Sequence, residues 1–269
     1  MLIRAGYEIR YECDVATPML AMLSVHPSRS KDFATPHRIA ATPDVPMYDY
    51  LDGFGNICTR ITMPAGGLTL SNDFAIRDDG APDPVALHAA QHAVEDLPDD
   101  VLVYLLSSRY CETERLAEMA WSLFGNGPTG WDRVQRIVDF TNHHVEFGYQ
   151  HARPTKTAWE AYQERRGVCR DFAHLAITLC RCVNIPARYC TGYLGDIGIS
   201  PTDGPMDFSA WFETYLGGAW HIFDARHNQP RIGRVLMARG RDATDAAMIT
   251  TFGFAQLASF KVHTFKVAP

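Results

Sequence analysis

The chain lacks any uninterrupted apolar run of the roughly 20 residues that a membrane-crossing helix requires. It also lacks a basic block: 25 Lys+Arg stand against 31 Asp+Glu, a formal charge of −6 over 269 residues. The first absence argues against a membrane partner and the second against nucleic acid. The opening Met1-Leu2-Ile3-Arg4-Ala5-Gly6-Tyr7 alternates like a strand and has neither the apolar centre nor the small-residue cleavage site of a secretory leader. There is no glycine-rich phosphate loop, no helical His-Glu-x-x-His and no set of cysteine pairs at zinc spacing, so neither a metal nor an organic cofactor is expected. Cys180-Arg181-Cys182 has a single intervening residue, and a helix would splay its two thiols apart. Seven cysteines are an odd number in a chain long enough to fold without staples, which fits a reducing cytoplasm better than a disulfide framework.

What is present suits a folded α+β protein. With 46% hydrophobic and 21% charged residues the chain can bury a sizeable core, and its length favours two domains. Residues 2–80 read as β, with strand-like stretches at 3–13, 19–25 and 56–64 and a hairpin signal at Asp52-Gly53-Phe54-Gly55-Asn56. An antiparallel β-sandwich is expected over 1–80. The polar, Gly/Pro-rich run from Asp78 to Pro84 is the best linker candidate, and 81–269 is expected to form a second, α+β unit.

In that second unit the period turns helical. Thr113 is read as the cap of a helix carrying Leu116, Met119, Ala120 and Leu123 and ended by Gly125-Asn126-Gly127-Pro128. Trp131, Val134, Ile137, Val138 and Val145 mark another. A third starts near Cys169 and is stopped by Pro186. Strands are expected at 187–194, 208–216 and 220–224, the last two joined by the two-residue turn Gly217-Gly218.

The segment Gly167-Val168-Cys169-Arg170-Asp171-Phe172-Ala173-His174 carries the chemistry. A cysteine in the first turn of a helix meets unsatisfied N–H groups and the positive end of the macrodipole. With Arg166 and Arg170 nearby, a lowered thiol pKa is expected. Taken alone, a cysteine is more often a small buried hydrophobe.

Combined with Ser209-Ala210-Trp211-Phe212-Glu213 and Phe223-Asp224-Ala225-Arg226-His227-Asn228, the segment resembles the transglutaminase-like superfamily, specifically its bacterial cysteine-protease-like branch. The resemblance implies a papain-like core in which a nucleophilic Cys opens a helix, a His follows on a strand, and an Asp on the next strand orients that His. Cys169 matches the nucleophile and Asp224 the acid. The family pattern His-Ala-Trp-Phe-Glu is broken, because Ser209 stands where the His belongs. Tyr149 lies where relatives carry an aromatic near the cleft, either as part of the oxyanion region or as an ordinary rim residue. Trp211 is either a substrate wall or core.

A two-residue turn at Gly217-Gly218 puts Trp211 opposite Asp224 and makes Ser209 a diagonal neighbour of Asp224, with Cβ atoms roughly 7 Å apart. A serine hydroxyl bridges that gap poorly and is no base near neutral pH. On this register Ser209→His would supply the base. Other histidines offer little: His221 is out of phase, His174 lies round the helix from Cys169, His143, His144 and His151 read as solvated or capping, and His227 reaches the site only by folding back.

The expected activity is thiol-dependent hydrolysis of a peptide or other amide bond, impaired by Ser209. The alternatives are a catalytically silent member that binds amide-containing ligands and a variant whose His was deliberately replaced; protein cross-linking ranks behind hydrolysis. The oligomeric state is left open.

Overall fold

The computed structural model describes residues 1–200 and 206–268. In chain order its strands and α-helices are β1 (Leu2–Glu12), β2 (Thr17–Ala21), β3 (Ala40–Thr42), β4 (Met47–Leu51), β5 (Ile57–Met63), β6 (Leu68–Arg77), α1 (Asp99–Leu102), α2 (Thr113–Phe124), α3 (Trp131–His144), β7 (Glu146–Phe147), α4 (Ala158–Glu164), β8 (Arg166–Gly167), α5 (Cys169–Cys182), β9 (Ala187–Tyr193), β10 (Ser209–Leu216), β11 (Ala219–Phe223), β12 (Val235–Gly240), β13 (Ile249–Thr251) and β14 (Gln256–Lys266).

Two four-stranded antiparallel sheets, β14-β1-β6-β3 and β13-β2-β5-β4, enclose one apolar core. Period-two alternation builds it. Along β6 the side chains of Leu68, Leu70, Phe74 and Ile76 are buried while Asp73 and Arg77 face water. Ile3 and Ile9 of β1 and Met19 and Ala21 of β2 meet them from both sheets. The expected sandwich is therefore present, but it draws on both ends of the chain. β13 pairs with β2 and β14 pairs with β1 from Ile3↔Lys266 to Glu12↔Gln256. Hydrogen bonding thus joins 249–266, which the sequence reading grouped with the second unit, to the sheets of the first.

The intervening α+β unit packs its helices on the sheet β11-β10-β9-β12. Its central helix, α5, is buried along every residue from Asp171 to Cys182, as expected of a helix enclosed on all sides. The β10–β11 hairpin has the expected register, with Phe212 opposite Phe223, because Gly217 and Gly218 both take positive φ, 57° and 84°. One cap differs from expectation. The cap of α2 is Glu112, and Thr113 is the first helical residue.

The linker candidate is docked rather than loose. Asp83 accepts hydrogen bonds from Arg231 N at 2.9 Å and from Arg234 Nε at 2.9 and 3.1 Å. On the other side, fully buried Asn56 of the β4–β5 turn exchanges hydrogen bonds with the backbone of Arg239 in β12, at 2.8 and 2.9 Å.

Deleting 249–269 strips β1 and β2 of a partner strand each and opens the sandwich core. The expected result is loss of a cooperative thermal transition and elution as aggregate on size exclusion, whereas Ile9→Ala, a single buried deletion, should cost about 2–5 kcal/mol and leave a folded species that elutes with the native protein.

Candidate active site

Cys169 is placed by the start of α5. Val168 is extended (φ −111°, ψ 175°), and its N–H donates to Asp171 Oδ2 at 3.0 Å, which fixes the first turn. Of the seven free cysteines, six are buried and Cys169 alone is half-buried. The Ala210 backbone amide lies close enough to its sulfur to favour the thiolate, which sets the helix start against β10.

The expected drop in thiol pKa does not occur: burial pushes Cys169 up to about 11, outweighing the Arg226 charge and the Ala210 amide that favour the thiolate. The flanking arginines fail to act because they point elsewhere. Arg170 folds onto the carbonyls of Arg153 and Pro154 and onto Asp171, and Arg166 lies on the surface 3.8 Å from Glu146.

Asp224 follows β11 and is buried. Burial by itself would raise its carboxyl, but the Arg234 guanidinium and the hydrogen bonds from His227 hold it well below the usual carboxylate range. Oδ1 accepts from the N–H groups of Arg226 and His227 at 3.1 and 3.0 Å. Oδ2 accepts from Arg234 Nη2 and His227 Nδ1, both at 2.9 Å. This is an aspartate folding the chain back on itself. Asn228, at φ 49°, closes the turn, and helix α3 grips it through Asn142 on the carbonyls of Ala225 and Arg226 and through Gln135 and Asp139 on Asn228. His227, which the sequence reading set aside unless it folded back, is thereby brought onto Asp224.

Ser209 and His227 line one cleft of about 480 Å³ together with Phe147, Tyr149, Asp207 and Arg226. Tyr149 is half-exposed there, with burial and the proximity of Asp207 and Cys169 raising its phenol. Asp207, given no role in the sequence reading, is also raised by burial. It shares strand parity with 209, the signal that could have found it. The Ser209 hydroxyl is buried and has no hydrogen-bond partner among the described residues.

Trp211 is buried, so it is no substrate wall; it lies beneath Arg234, whose guanidinium carbon is 5.0 Å from a ring centroid of the indole. His174 stacks between Tyr110 and Tyr189, and His221 bonds the Leu216 carbonyl against Trp131. His143 and His144 bond the carbonyls of Asp139 and Tyr162. These rings are structural. Among the described residues no group of three or more His, Cys, Asp or Glu side chains is arranged to hold a metal ion.

Two outcomes follow from this geometry. Under limiting iodoacetamide, peptide mapping should find Cys169 modified first, with a rate still climbing above pH 8 because burial disfavours the thiolate; earlier modification of Cys58 or Cys190 would contradict the accessibility described. Arg234→Leu should destabilise the fold by about 3–5 kcal/mol at pH 7, since it leaves the buried Asp224 charge without its main partner. A carboxyl held low contributes stability that is complete above its unfolded pKa of about 4 and fades as the pH falls further. The deficit, measured by urea unfolding, should therefore shrink below pH 4.

Residues 118–225 match the model of the transglutaminase-like superfamily. Among solved structures, the "Putative Cysteine Protease from Cytophaga hutchinsonii" is 29% identical, with a TM-score of 0.86 over 100% of this chain and 91% of that one. The periplasmic domain of TgpA from Pseudomonas aeruginosa is more distant, 14% identical with a TM-score of 0.42 over 83% of this chain and 90% of that one. An uncharacterized protein of Mycobacterium leprae (strain TN) is 34% identical over 91 residues, 33% of this chain and 32% of that protein's length, so the match spans about a third of that relative. A helix-opening cysteine, a β10–β11 hairpin that delivers an aspartate, and a family match across both are one set of findings: residues 118–225 form a transglutaminase-like domain.

Proposed function

We propose that the protein is a thiol-dependent hydrolase of amide bonds in peptides or related compounds, with Cys169 as nucleophile and Asp224 as the acid that orients the base. One observation supports it above the rest. The one thiol that is only half-buried lies at the start of α5, against the β10 backbone, in electrostatic reach of Tyr149, Asp207 and Arg226, three residues that line the cleft. A thiol nucleophile and an imidazole anchored by a carboxylate are the groups that acyl transfer needs. The name of the Cytophaga hutchinsonii relative agrees with this reading. Hydrolysis is preferred to cross-linking because water requires no second substrate site.

A silent amide-binding protein is the second reading. Its support is the thiol pKa of about 11, which leaves Cys169 protonated at neutral pH unless a base assists.

The test is hydroxylamine trapping. Incubated with a panel of short peptide amides and glutamine-containing peptides, the protein should release amine and yield a hydroxamate diagnostic of a thioester, and Cys169→Ala should yield neither. Amine release that survives Cys169→Ala would reject the thiol mechanism. Tight peptide binding by calorimetry with no turnover in either form would select the silent reading.

A further inference from the structure

Resting on the reading of Cys169 as nucleophile, we propose that His227 is the general base of this site and that position 209 has given up that role. In the His227–Asp224 hydrogen bond Nδ1 donates to Oδ2 at 2.9 Å, so the neutral ring carries its lone pair on Nε2. The side chain lines the same cleft as Ser209, Tyr149 and Arg226. An imidazole anchored by a carboxylate through one nitrogen and basic at the other is what a thiol nucleophile requires.

The hydrogen-bonding capacity of Asp224 makes the assignment exclusive. Its carboxylate accepts four hydrogen bonds, from the N–H groups of Arg226 and His227, from His227 Nδ1 and from Arg234 Nη2. A carboxylate offers about four such positions. None is left to orient an imidazole at 209. The small, buried, unpartnered Ser209 side chain fits a chain in which the imidazole comes from the far side of Asp224 instead. The turn that presents His227 is braced by Asn142, Gln135 and Asp139 of α3, which gives the ring a fixed support.

The step balances as follows. His227 Nε2 takes the proton of Cys169 Sγ–H as the sulfur bonds to the amide carbonyl carbon. The C–N bond then breaks, and the leaving amine takes the proton from Nε2, which leaves a thioester. A water gives its proton to Nε2 as its oxygen bonds to the thioester carbon. The C–S bond breaks, and the departing sulfur takes the proton back, so that amide and water have become acid and amine.

The test uses two probes on the full chain: p-nitrophenyl acetate for acylation and iodoacetamide for thiol reactivity from pH 5 to 10. The charged and titratable groups around the thiol and the imidazole are Arg226, Asp207, Asp224, Tyr149, Tyr189 and Arg234, with Arg231 and Asp196 on the wall of the same cleft. Asp207→Asn is therefore run alongside, to identify any inflection that Asp207 contributes. The native protein should show a nitrophenolate burst and an alkylation profile in which imidazole and thiol both register. His227→Gln, which keeps an N–H for Asp224, should slow acylation by about 10²–10⁴-fold and remove the imidazole inflection. Ser209→His should give no rise.

A His227→Gln protein matching the native one in both assays, while Cys169→Ala is inert, would overturn the role of His227 and leave the nucleophile standing. So would a hundredfold gain from Ser209→His. Acylation that persists in Cys169→Ala would overturn the underlying reading itself. Should His227→Gln fail to fold, carbethoxylation of the native protein with diethyl pyrocarbonate, mapped to His227, replaces it. An alkylation profile unchanged after that modification would also overturn the proposal.

Discussion

A carboxylate taken out of water is tolerated only where donors replace the water it has lost, and the buried Asp224 carboxylate sets what surrounds it. Arg234 reaches it across the sheet and is itself held between Asp83 of the docked linker and the indole of Trp211. Two backbone amides and one imidazole complete the shell. The charge thus determines where the linker lies, why a tryptophan is buried beneath an arginine, and which way the 224–228 turn folds. An aspartate in this setting is held ionised well below the usual carboxylate range, and so it serves as a fixed acceptor at neutral pH.

Cys169 is governed by the opposite circumstance. It has few donors of its own, the Ala210 amide and the more distant Arg226 charge, and burial keeps its proton on. The two halves of the site are therefore unequal: a fixed anion with every position filled, and a neutral thiol that needs a proton acceptor at the moment of attack. That asymmetry differs from a resting thiolate–imidazolium pair, and it places the demand for chemistry on the group between them.

Much of this was legible in the amino-acid order, and the reason is locality. The start of α5 at Cys169 and the pairing of Phe212 with Phe223 across Gly217-Gly218 follow from rules that operate over a few residues. The acidity of Cys169 was misjudged because helix position can be read locally, whereas the direction in which Arg166 and Arg170 point and the depth of burial cannot. His227 was set aside because it lies past the end of a strand. The signal that could have recovered it is an aspartate followed by amides two and three residues on, with an asparagine suited to positive φ closing the turn. The return of β14 to β1 was hidden for a different reason: its burial pattern is mostly exposed or half-exposed, so it shows little alternation, and its partner is at the other end of the chain.

That last pairing bears on how the polypeptide is made. β1 lies between β6 and β14, and the Val267 amide donates to the Leu2 carbonyl at 2.9 Å, so β1 is completed by a strand synthesised long after it. At ribosomal speeds of about 5–20 residues per second, β1 waits on the order of tens of seconds with one edge unpaired. An unpaired apolar strand is a template for other chains. The order of events that avoids this has the helical core, whose contacts are nearer in sequence, settle first and carry both ends of the chain to the same side, so that the sandwich closes as the final act of folding.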